Sequence, residues 1–169
     1  MILTPHLLLA AAIASKIKYP PLAIVLAFLS HYLLDLIPHV EYSIDNISEK
    51  RWQKSLPDIL RVFLDFSLGM LLILIFSNNR PIVYTCALIA LIPDSLTIIN
   101  SIFPNKILKI HNNIHQRKIH FLKYKKTRAL NELSARPSTK NIIFSALVSI
   151  PFRILSQVAT VFISILLLN

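Results

Sequence analysis

Uninterrupted apolar runs alternate along this chain with short polar breaks, and most breaks carry proline. The apolar stretches cover about 5–15, 21–37, 57–76, 81–103 and 142–168. About 20 apolar residues are needed for a helix to cross a bilayer, so the third and fourth runs are long enough, the second only just, and the first is short. Thr4 can cap the first helix and Pro5 suits its first helical position. Lys16 and Lys18 close that helix and Tyr19-Pro20-Pro21 breaks the chain, so the first two helices are expected to pair as a hairpin. Pro57 opens the third helix, Asn78-Asn79-Arg80 forms a tight polar turn, and Pro81 opens the fourth. Pro93 lies inside the fourth helix and is expected to kink it, freeing backbone carbonyls one turn earlier. Pro151 divides the last run into a short interfacial piece and a span from about Phe152. The pattern predicts an all-α integral membrane bundle of about four to five transmembrane or half-spanning helices. It forms one domain over 1–169.

Composition supports that reading. Hydrophobic residues make up 54% of the chain and charged residues 15%, too few to furnish an ordinary soluble surface. Gly69 is the single glycine, which disfavours hairpin-rich β architecture. The net charge of +10 raises the question of nucleic acid, but the basic residues gather between the apolar runs. Ten of the eighteen Lys and Arg residues fall between 104 and 140. In a membrane protein this is the positive-inside signal and an attraction to anionic lipid, so no nucleic-acid partner is expected. The 104–140 segment is read as a cytoplasmic helix and loop, helical from about Lys106 to Leu122. The chain is then a multi-pass protein of the cell inner membrane. Residues 40–56 form an interfacial loop on the same side, with Trp52 as a headgroup-level anchor. Cys86 is alone in an apolar run and reads as a buried thiol. With no basic n-region or cleavage site at the N-terminus, no removable signal peptide is expected.

The chemistry starts in Ser30-His31-Tyr32-Leu33-Leu34-Asp35-Leu36-Ile37-Pro38-His39. His31 and Asp35 are four residues apart, so a helix presents both on one face. Ionisable residues in a membrane helix are costly and mark functional sites by default. His39 lies past Pro38, at the helix mouth. His111 and His115 repeat the same spacing, which offers two imidazoles from one helix to a metal. Asp94 follows the kinking Pro93, where a carboxylate beside freed carbonyls suits a cation. Asp58 and Asp65 flank Arg61; for Asp58 an ion pair with Arg61 is the favoured reading, whereas Asp65 lies deeper and is a candidate ligand or general base. His6 opens the first helix. Arg153, with Arg117 and Lys118, offers phosphate contacts, and His120 is read as a surface histidine. The topology sends all the candidate ligands to the cytoplasmic side. Nitrogen and oxygen donors without thiolate suit one or two divalent ions, zinc first, with manganese or iron as alternatives.

Thr4-Pro5-His6, the run from Ser30 to His39, Pro93-Asp94 and the His111–His115 helix resemble the predicted membrane-bound metal-dependent hydrolases. That group includes the LexA-regulated inner-membrane hydrolases and has a suggested distant kinship with zinc-dependent phospholipase C. The resemblance implies metal binding by His6, His31, Asp35, Asp94, His111 and His115, and less directly by Asp65. The family's Gly and Thr between the last two histidines are absent here. The expected function is metal-dependent hydrolysis of a phosphoester, with a membrane lipid or small phosphoester as substrate, Asp65 as catalytic residue, and His39 and Arg153 as supporting contacts. A metal or proton transporter and a non-catalytic membrane adaptor are the alternatives.

Overall fold

The computed structural model describes residues 2–37, 39–40, 42, 44–115 and 139–168. Every regular element among them is helical: α1 (Leu3–Lys16), α2 (Pro20–Leu36), the single turn α3 (Asp45–Ser48), a 3₁₀ turn (Trp52–Lys54), α4 (Leu56–Phe76), α5 (Pro81–Ala90), α6 (Ile92–Ile102), α7 (Lys106–Ile114) and α8 (Thr139–Leu168). Two helices are long and apolar enough to cross a membrane, Leu56–Phe76 and the Pro151–Leu168 part of α8. A third span exists if α5 and α6, which meet at a 43° bend, are taken as one.

The short first helix is the centre of the molecule. It contacts α2, α4, α5 and α8, and Leu7, Leu8, Ala10, Ala11 and Ala14 are fully buried. A helix apolar on every face belongs in an interior, and its alanines let neighbouring backbones come close. Gly69 marks the tightest approach. A Cβ there would lie 2.5 Å from Leu7 Cδ1 and 3.4 Å from Thr4 Cα, so any larger residue would force the Leu7 side chain to move where α4 crosses α1.

Both ends of α1 are sealed by side chains from other elements. The first backbone N–H groups of any helix have no intrahelical partner and carry its positive dipole end. Here the Asp65 carboxylate of α4 accepts from the Leu3 N–H, from the Thr4 N–H at 3.3 Å and from Thr4 Oγ1 at 2.7 Å. The helix therefore starts two residues before Pro5. Thr4 does not cap it, because its hydroxyl instead donates to Asp65. At the other end Arg80 donates to the Ser15 carbonyl at 2.6 Å and to that of Ala14 at 3.4 Å, neutralising the negative terminus.

The fourth apolar run is broken as Pro93 requires. Pro93 has no N–H to give to Ile89, and the Leu91 N–H turns back to the Leu88 carbonyl at 3.1 Å. The ladder restarts with Ser95 N–H on Leu91 O at 3.0 Å, opening α6 in a new direction. By contrast α8 runs through Pro151 without ending, where the sequence pattern divides it. The 40–56 loop holds α3 and the 3₁₀ turn, and it is tied to α4 by the Asn46 N–H on Asp58 Oδ2 at 3.0 Å.

Side-chain orientation on the long helices inverts the water-soluble pattern. On α2 the buried stripe is Ala23, Ala27, Ser30, His31 and Asp35, while Leu22, Val25, Leu29 and Leu33 are exposed. On α4 the buried positions are Asp58, Gly69 and Ile73, and Phe63, Leu64, Leu68 and Leu71 face outward. Apart from Ile73, small and ionisable residues of these two helices are inside and large aliphatic ones outside.

Candidate metal centre

Four helix ends meet on one side of α1. Asp94 lies in the first turn of α6, which leaves the site; α7 packs against α6 and ends at His115. His31 and Asp35 come from the last turns of α2, and His6 from the first turns of α1. The Pro93 break is what aims Asp94 inward, since the change of direction at Leu91 sets the start of α6 against the end of α2.

One ligand atom from each of His31, Asp35, Asp94 and His115 lies within 4.8 Å of the other three, and all four residues are buried. His31 Nε2 is 3.1 Å from Asp35 Oδ2 and 3.3 Å from Asp94 Oδ1. His115 Nε2 is 3.5 Å and 3.4 Å from the same two oxygens. Donor atoms bound tetrahedrally to zinc at 2.0–2.1 Å stand about 3.4 Å from one another. Four of the six donor–donor separations thus fall at that spacing.

Hydrogen bonding does not explain the closeness. Neither ring nitrogen of His31 and neither oxygen of Asp94 has a hydrogen bond of acceptable geometry among the described residues. Their ligand atoms lie close enough together to share one ion. Among the described residues the charged partners within reach of these two carboxylates are histidines, and burying two carboxylates is expensive unless their charge is compensated. A divalent cation fits both the lone pairs and the charge.

The surrounding shell is ordered. His111 lies one turn before His115 on α7, and its Nε2–H donates to the Pro93 carbonyl at 3.1 Å. Its ring stacks on His115 at 5.6 Å and 13°. Thus His111 clamps α7 to the start of α6, and its Nε2 is engaged there. Tyr32 stands edge-on to His31 and to His115, at 5.6 Å and 5.8 Å. His6 Nε2 and His39 Nε2 approach the other oxygen of Asp35, Oδ1, at 3.6 Å and 3.8 Å.

The remaining sequence candidates lie elsewhere. Asp65, expected as ligand or general base, caps α1 and also accepts from the Tyr42 hydroxyl at 3.2 Å. Burial, and then the Asp65 charge, push the Tyr42 phenol well above the usual tyrosine range. Asp58 pairs with Arg61 at 3.5 Å, as the spacing suggests. Arg153 makes no ion pair among the described residues and stands one turn before Gln157 on the same face of α8. Arg117, Lys118 and His120 lie outside the described residues. Tyr32 and Gln157 escape a search for metal ligands. Gln157 Nε2 donates to the Val40 carbonyl at 2.8 Å and so ties α8 to the chain beyond α2.

No family model, no curated protein and no solved structure matches the chain, and its chemistry is read from these residues.

Proposed function

We propose that this chain is an integral protein of the cell inner membrane and a metal-dependent hydrolase acting on a phosphoester, with His31, Asp35, Asp94 and His115 holding a divalent ion. The observation that carries the reading is the convergence of two imidazoles and two carboxylates, all buried, at the spacing of a coordination sphere. Zinc is the first choice for a nitrogen–oxygen set of this size, ahead of manganese or iron. A divalent ion, when bound, supplies Lewis acidity toward a phosphoryl oxygen and an attacking water.

The membrane assignment draws on the inverted side-chain pattern, because a soluble protein rarely exposes so continuous an aliphatic surface. Lys50, Arg51 and Lys54 on the adjoining loop support a cytoplasmic site by the positive-inside rule. A small cleft on the His6 and His39 side of the centre is lined by apolar Ile2, Leu34 and Ile37 and polar Ser156, Gln157 and Thr160. Walls of both kinds suit an amphiphile, and Arg153, one turn from Gln157, suits its phosphate. The α7 helix presents Ile107, Ile110 and Ile114 outward beside Lys106 and Lys109, which fits a helix resting on anionic lipid. A transporter would need a path to the far side. Leu8, Ala10, Ala11 and Ala14 of α1 fill that direction and are buried, which favours an enzyme.

Metal analysis of the purified protein beside the His31→Ala/Asp35→Ala double variant tests the reading. Wild type is expected to carry metal that the variant loses. Equal, negligible metal in both would overturn it. A screen of lipid and soluble phosphoesters, with and without chelator, then separates the hydrolase from a metal-binding adaptor.

A further inference from the structure

The helix that delivers His115 is lightly held. Among the described elements α7 packs mainly on α6, and none of its nine residues is buried, whereas His115 at its end is fully enclosed. A helix this short is marginal in water and takes its stability from whatever covers it. We propose that α7 is seated on anionic lipid and that this seating holds His115 in the four-residue centre, so that metal affinity depends on the headgroup charge of the membrane. This rests on the reading of that centre as a metal site.

Three stripes divide the helix. Leu108, His111 and Asn112 are half-buried and continue at the same spacing into His115. Ile107, Ile110 and Ile114 form a second stripe, roughly 120° round the axis, and are 75%, 54% and 47% exposed. Lys106, Lys109 and Asn113 lie beside the isoleucines and are also exposed. A helix on a soluble protein turns its apolar stripe inward, whereas here that stripe is uncovered. Isoleucines flanked by lysines suit a helix lying in the headgroup plane. Charge and chain position agree on the occupant. Neither lysine makes an ion pair among the described residues, and the chain has no Asp or Glu between Asp94 and Glu132 to repel an anionic headgroup. Only residues 103–105 separate α7 from α6, the second half of the bent apolar pair, so α7 starts close to where that pair ends.

The isoleucines and the histidines share the same helical turns. Ile110 immediately precedes His111 and Ile114 immediately precedes His115, so a roll that lifts the isoleucines from lipid moves both imidazoles. The His111 bond to the Pro93 carbonyl passes the position of α7 to the start of α6, where Asp94 stands. A lysine near an anionic surface favours the seated helix about fivefold, so the two together give up to about 30-fold. Apparent metal affinity scales with the fraction of chains in the competent arrangement.

The test compares zinc affinity of the whole chain in nanodiscs of phosphatidylcholine alone and of phosphatidylcholine with phosphatidylglycerol, by competition with a chelator. Wild type is expected to bind zinc about 10-fold more tightly in the anionic discs. Zinc also gathers at an anionic surface unaided, so Lys106→Gln/Lys109→Gln is measured beside it and should lose most of the gain. Equal wild-type affinity in the two membranes overturns the coupling and leaves the centre standing. A variant that gains as much as wild type overturns it too. No zinc in either membrane removes the centre and the coupling together. An environment-sensitive fluorophore on Ile110→Cys, in a Cys86→Ser background, reads the seating itself. Blue-shifted emission in the anionic discs supports the proposal. Emission that stays water-like there overturns it and leaves the isoleucine stripe to a protein partner.

Discussion

At the scale of single residues, Asp35 is the hub, since each of its oxygens is approached by two histidines. The consequence is an ordering of variants. His115→Ala removes a donor and is expected to abolish tight binding at the four-residue centre. His111→Phe keeps a ring against His115 but loses the bond to the Pro93 carbonyl. Loss of such an orienting partner typically weakens metal affinity 10–100-fold. Competition with a chelator of known affinity measures both. An effect of His111→Phe as large as that of His115→Ala would make His111 a ligand. The sequence could not separate these two, because histidines four apart share a helix face equally. What differs is the neighbour, and the carbonyl that takes up His111 belongs to a residue 18 positions away. His31 and Asp35 were legible for the opposite reason: two ionisable groups in an apolar run are costly and mark a candidate site.

Tyr42 gives a pH dependence with a definite sign. Its phenol is held above the ordinary tyrosine value of about 10 by burial first and by the Asp65 carboxylate second. A group whose folded pKa is raised contributes stability that is complete below the unfolded pKa and is lost as pH rises above it. The loss therefore begins above about pH 10. Thermal unfolding of wild type should fall off more steeply there than that of Tyr42→Phe, with equal slopes below. Parallel curves throughout would remove the contribution.

At the scale of elements, α1 is too short to be stable alone, and its ends show how the fold compensates. Asp65 takes the N-terminal donors and Arg80 the C-terminal carbonyls. From sequence, a deep acid on α4 is as good a metal ligand as a cap, and only the docking of α1 against α4 decides its partner. Asp65→Ala strands buried donors and should cost about 1–3 kcal/mol in reversible unfolding, with the metal content per folded chain unchanged. Loss of metal without loss of stability would place Asp65 at the ion instead. The helix runs themselves were legible, as was the Pro93 kink, because backbone chemistry is local. The central place of α1 was not. Its brevity suggests a half-span at the edge, whereas the Ala residues that let four helices pack round it read only as apolar.

At the scale of the whole molecule, the two ends of the bundle differ in chemistry, and that difference makes the proposed topology testable. The site end gathers the chain around Asp45–Lys54, the start of α4 and the four residues that could hold a metal. The far end holds Ser15, Arg80 and the end of α8, where Ser15 Oγ donates to the Leu167 carbonyl at 3.1 Å. Helix α4 joins the two, so residues just before and just after it must face opposite compartments if it spans. Cys86 is fully buried, which lets introduced cysteines report cleanly in a Cys86→Ser background. An impermeant maleimide should label Asn78→Cys in intact cells, and Gln53→Cys only after permeabilisation. The reverse pattern would move the metal centre to the outer face and set the chain against the positive-inside rule. Labelling of both from one side would deny that α4 crosses. The expected pattern would put any substrate of the centre in the cytoplasmic leaflet or the cytoplasm.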